Sequence, residues 1–129
     1  MNVASLELCK ELYELSGWDD TGFYWFKIPQ EDDFKLDWDT PYVKSTIGST
    51  AYPAYDLGFL LSKLPDEIED DDGWEFYLCL MKYTTTYSIG YSFDDMESPI
   101  GLAFGFTPEN AACTLAIKLF EKGILTKGE

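Results

Sequence analysis

The 129-residue chain contains no histidine and no arginine. Without His, no Ser-His or Cys-His couple can form, and the commonest general base and metal ligand is missing. Without Arg, the planar fork that reads phosphate and guanine is missing as well. The nine basic residues are all lysines and stand against 24 acids, for a net charge of −15. Nucleic-acid backbones and anionic membranes are bound through clustered positive charge, so neither is an expected partner. There are three cysteines, Cys9, Cys79 and Cys113, far apart in the chain. Each falls in an apolar run, where a free thiol behaves as a small hydrophobe. Reduced, buried thiols and a cytoplasmic setting are therefore expected. Zinc needs close ligand pairs such as C-x-x-C, and none occurs. No apolar run approaches the roughly 20 residues of a membrane span. No basic segment leads into an apolar one at the start, so no signal peptide is expected.

Hydrophobic residues make up 46% of the chain and aromatics 17%. At this length one domain, residues 1–129, can bury a core without a metal or a disulfide. The acidity reads as a solvated surface, or as a field that steers a basic partner.

Hydrophobic spacing sets out the elements. Leu8, Leu12 and Leu15 line one stripe of a helix over residues 5–16, with Gly17 as a left-handed stop. An aromatic strand, Phe23–Ile28, is closed by Pro29, and Lys35–Trp38 can extend it into a hairpin. A short strand is expected at Tyr42–Ile47. Pro53 is read as opening a helix over residues 54–64, carried by Leu57, Leu60, Leu61 and Leu64 and stopped by Pro65. The acidic stretch 66–73 reads as a solvated loop, and Trp74–Tyr83 as a long apolar central strand. Two strands follow, Thr85–Phe93 and Ile100–Phe106, joined by a turn around Asp94–Pro99. Thr107-Pro108-Glu109 starts the last helix as cap, first-turn proline and first-turn acid, and Gly123 ends it. The expected fold is α+β: an antiparallel sheet of about five strands with three amphipathic helices packed mainly on one face.

Catalytic motifs are absent: there is no Walker A, GxGxxG or HExxH sequence. Carboxylate pairs occur at Asp19-Asp20, Asp32-Asp33, Asp70-Asp72 and Asp94-Asp95, and a metal-dependent hydrolase could use such a pair. In so acidic a chain, adjacent carboxylates on loops are ordinarily solvated. The run Glu69–Gly73 lacks the alternating ligands and later Glu of a calcium loop. No catalytic residue, cofactor or metal ligand is assigned.

Two patches suit binding. One is the acidic segment Asp66, Glu67, Glu69, Asp70, Asp71 and Asp72 with the adjacent Trp74, which could contact a basic protein. The other is a strip of small residues, Ser88, Gly90, Ser92, Gly101, Ala103 and Gly105. The two strands are expected to make a hairpin with one bulky face and one nearly bare face, and the bare face could admit a flat, nucleotide-like ligand.

The segments TPENAACTLAIKLFEKGIL (Thr107–Leu125), PAYDLGFLLSKLP (Pro53–Pro65) and LYELSGWDDTGFYW (Leu12–Trp25) resemble a group of small uncharacterised proteins of tailed phages and prophages. Together they cover about a third of the chain. The matching positions mostly cap and pack helices, so the resemblance carries no site residue. It implies an accessory protein made in the cytoplasm of an infected host cell. The leading expectation is a non-enzymatic protein that binds a host or phage protein through its acidic surface. A small-molecule binder and a metal-dependent hydrolase are the alternatives.

Overall fold

The computed structural model describes residues 2–27, 32–38, 51–93 and 96–127. Helix α1, Leu6–Ser16, is capped by Ser5, whose hydroxyl accepts from the Leu8 amide at 3.4 Å. Gly17 ends it at φ 69° and donates to the Tyr13 carbonyl at 2.7 Å, the left-handed stop that its missing Cβ permits. Cys9 and Leu12 on the inner stripe are buried.

Strand β1 (Phe23–Phe26) pairs antiparallel with β2 (Lys35–Trp38) on one side and β3 (Ala51–Ala54) on the other. The β1–β2 hairpin is as expected, whereas β3 corrects the reading of Pro53 as a helix opener. Pro53 lies opposite Tyr24 in a strand that is the edge of its sheet among the described residues, a place that tolerates a residue without an N–H. Helix α2 is accordingly shorter, Leu57–Lys63. Its cap is Asp56, whose carboxylate accepts from the Phe59 amide at 2.7 Å. The strand expected at Tyr42–Ile47 lies outside the described residues.

The second sheet runs β4 (Glu67–Glu69), β5 (Glu75–Lys82), β6 (Tyr87–Phe93), β7 (Met96–Gly105), neighbours in chain order and antiparallel throughout. The expectation of one sheet of about five strands is thus corrected to two antiparallel sheets, with seven strands among the described residues. The acidic stretch contributes β4 because Ile68 pairs opposite Phe76 and packs on the core, while Glu67 and Glu69 stay exposed. The turn expected around Asp94–Pro99 is also revised: Met96 already pairs with Phe93, and Asp94 and Asp95 lie outside the described residues. Between the Gly90–Leu102 and Ser92–Glu97 pairs, β6 advances two residues and β7 five, so β7 carries a bulge. Pro99 falls within it, where a ladder donor is not needed.

Helix α3, Pro108–Glu121, begins as expected, with the Thr107 hydroxyl accepting from the Asn110 amide at 3.1 Å. It packs against β6, β7, α1 and α2, so Ala111, Ala112, Cys113, Leu115, Ala116, Ile117 and Leu119 are all buried. The alanines let it sit close to its neighbours. Helix α1 also packs against β3 and thereby joins the two sheets. Buried tyrosines keep their hydroxyls bonded: Tyr55 donates to the Trp18 carbonyl and Tyr91 to that of Pro65, both at 2.7 Å. The α+β class and three helices among the described residues stand as read.

Candidate functional site

The acidic segment forms a hairpin rather than a loose loop. The Asp70 carboxylate accepts from the amides of Asp72 at 3.0 Å and Trp74 at 2.8 Å. The Asp70 amide donates to the Trp74 carbonyl at 2.9 Å, and Gly73 takes φ 86° to close the turn. Asp70 is therefore the structural hub of the turn, while Asp71 and Asp72 are exposed. Asp66 extends the pairing, its carbonyl accepting from the Leu78 amide at 2.9 Å. Trp74 is 52% exposed and meets Phe93 at a ring separation of 6.2 Å.

Along the hairpin, Glu69 lies directly opposite Glu75 and Glu67 opposite Tyr77. Like charges opposed across strands destabilise a sheet, and a cation placed between them relieves that repulsion. The Tyr77 hydroxyl donates to the Glu75 carboxylate at 3.2 Å, and this bond, with the carboxylate's charge, raises the phenol's pKa. Three lysines lie over aromatic rings: Lys10 over Phe34 and Tyr52, Lys63 over Trp18 and Phe59, and Lys82, at the far end of β5 from the turn, over Tyr87.

The strip of small residues does not form a platform. Ser88 is opposite Phe104 and Gly90 opposite Leu102 on one face, whereas Ala103 is opposite Ile89 and Gly105 opposite Tyr87 on the other. Each small residue thus lies beside a large one across the strands, and the two rows occupy opposite sides of the sheet. The inner row faces α3: Ala103 is 1% exposed, and a Cβ on Gly105 would lie 2.6 Å from the Ala111 nitrogen. On the outer row, Ser88 stands between Met81 and Phe104 and is 1% exposed. Ser92 pairs with Glu97, and Gly101 falls in the bulged part of β7. The structure therefore separates the six residues read as one ligand surface.

The same register exposes what the sequence reading missed. Odd positions of β5 (Glu75, Tyr77, Cys79, Met81) and even positions at the end of β7 (Leu102, Phe104) share the outer face. Phe104, Met81 and Tyr77 remain 57%, 50% and 46% exposed, and Cys79 is exposed rather than buried as expected. The signal lay in Glu75–Tyr83, which is apolar at both odd and even positions. An antiparallel strand with one wet face alternates, so two apolar faces imply two covers. By contrast Cys9 and Cys113 are buried as read: burial pushes the Cys9 thiol up to about 11 and raises that of Cys113.

Asp19, Asp20, Asp32 and Asp33 are exposed, and Asp94 and Asp95 lie outside the described residues. Among the described residues, no group of three or more Cys, Asp or Glu is arranged to hold a metal ion. Among them, too, no helix is long and apolar enough to cross a membrane. No protein-family model, curated protein or solved structure matches the chain.

Proposed function

We propose that this chain is a non-enzymatic accessory protein of a tailed phage or prophage that binds a host or phage protein in the host cytoplasm. The contact is the β4–β5 hairpin, through Asp66, Glu67, Glu69, Asp71, Asp72 and Glu75 with Trp74 at its tip. One observation carries this reading: Glu69 and Glu75 are held opposite each other and exposed, at the end of a hairpin whose turn also bears an exposed tryptophan. That arrangement leaves repulsion that a basic partner would relieve, next to an aromatic anchor of the kind interfaces favour. The field of a −15 chain steers such a partner in. The Asp70 carboxylate belongs to the scaffold of the turn, whereas Asp66 lends only its carbonyl to the ladder and keeps its exposed carboxylate for the contact.

Affinity capture from infected and uninfected cells, with quantitative mass spectrometry, tests the proposal. The wild-type chain is expected to enrich a basic protein that an E69Q/E75Q/D71N/D72N variant loses. Equal recovery by both chains, or no enriched protein, contradicts it. Asp70 is left intact so that the turn is not disturbed. The small-molecule reading draws no support from the geometry, because its residues are divided between two faces.

A further inference from the structure

The geometry points to the outer face of the four-stranded sheet as the seat of an amphipathic partner helix, whose apolar stripe runs into a Lys/Arg cluster at one end. This rests on the protein-binding reading above and names the second half of the same interface. A sheet face that is apolar must be buried against something. The inner face is served by α3, which covers Ile89, Tyr91 and Ala103. The outer face carries Tyr77, Cys79, Met81, Leu102 and Phe104, and is continued by Tyr83, whose hydroxyl reaches the Met81 sulfur at 3.9 Å. Tyr83 is 45% exposed, in line with the half-exposed Tyr77, Met81 and Phe104 of the same row.

Charge is gathered at one end of this face. At the hairpin end stand Glu67, Glu69 and Glu75; at the other stand Met81, Tyr83 and Phe104. An eight-residue strand such as β5 is about 25 Å long, which a helix of about 17 residues would span. The complement is therefore a helix with large apolar residues along one stripe and its positive charge gathered over the acidic end.

A second copy of this chain does not fit. Stacked with strands parallel, two copies would set Glu67, Glu69 and Glu75 over their own counterparts. Stacked antiparallel, they would bury those carboxylates against Met81 and Phe104, a desolvation without a partner charge. Strand addition at β7 is opposed too, because Lys118 from α3 already donates to the Leu102 carbonyl at 2.9 Å on that edge strand. A helix lying across the face meets neither obstacle.

The test uses the full chain and a synthetic 17-residue helical peptide with a leucine stripe and lysines and arginines at one end. A control peptide keeps the charges but replaces the stripe with serine. Cys79 sits at the centre of the face and reports on it, since the other two thiols are buried. The stripe peptide is expected to bind in fluorescence anisotropy and to slow alkylation of Cys79 at least tenfold, while the control peptide leaves Cys79 reactive. Met81→Ser and Phe104→Ser, both exposed and expected to fold normally by circular dichroism, should each weaken stripe-peptide binding about tenfold. Binding of both peptides alike, lost with Glu69→Gln and Glu75→Gln but indifferent to Met81→Ser and Phe104→Ser, overturns this inference while leaving the acidic contact standing. Failure of both peptides to bind overturns the two together. A dimer by light scattering with Cys79 unreactive in the free chain also overturns it.

Discussion

A methyl group added to Gly105 would sit 2.6 Å from the backbone nitrogen of Ala111 and 3.1 Å from Asn110. Backbone cannot step aside as a flexible side chain can, so Gly105→Ala should destabilise the fold by about 1–3 kcal/mol. Gly22→Ala, with nothing within 4 Å of the new atom, should be nearly neutral. Urea denaturation of the two variants compares them directly, and equal midpoints would contradict the close approach of α3 to β7. A second residue-scale prediction concerns protons. Burial raises Cys9 from 9.0 to about 11 and also raises Cys113, Tyr55 and Tyr91. The folded state holds these protons more tightly than the unfolded chain does. The contribution of Cys9 is therefore fully present below pH 9.0 and is lost as pH climbs through about 11, and the other three groups, raised further, add to the same fall. Melting temperature should fall across that window, and a flat profile would count against the buried thiols. Single residues whose role depends on near neighbours were legible in the sequence: Gly17 and Thr107 cap as read, because capping is settled within one turn. Cys79 was not, because its exposure depends on which face the strand register turns outward.

At the scale of elements, the two surprises are both short strands hidden by composition. Glu67–Glu69 pairs through its backbone and through Ile68, so its charges say nothing against a ladder as long as they point to water. Ala51–Ala54 contains a proline, which suggested the start of a helix but is equally at home in an edge strand. Helix α2 then begins at a cap rather than at Pro53. Asp56→Ala is accordingly expected to cost about 1 kcal/mol in chemical denaturation, and Asp56→Asn much less, because the amide oxygen can still accept from Phe59. If the two variants were equally destabilised, the side-chain cap would not be what starts α2. The hairpin β6–β7 was legible as two strands but not in its packing. Alternation marks the faces of each strand separately, whereas the pairing of Ser88 with Phe104 and of Ala103 with Ile89 is a property of register.

For the whole molecule, composition set the broad outline: an aromatic core, no His-based chemistry and a strongly negative surface. It could not say where the charge would be concentrated or that one sheet face would be left apolar, since both depend on non-local pairing. A chain carrying −15 repels itself, so raising salt from about 0.01 M to about 0.15 M should raise the melting temperature as the screening length shrinks from about 30 to about 8 Å. The same increase should weaken binding of a basic partner, which separates the protein's own stability from its association. The central claim is that a protein partner sits on the β4–β5 hairpin and the face beside it. Hydrogen–deuterium exchange of the full chain, free and in complex with the captured partner, tests this most directly. Slowed exchange is expected over Glu67–Lys82 and at the end of β7, with β1–β3 unchanged. Protection confined to the three-stranded sheet and α1, with the hairpin exchanging as in the free chain, would contradict it.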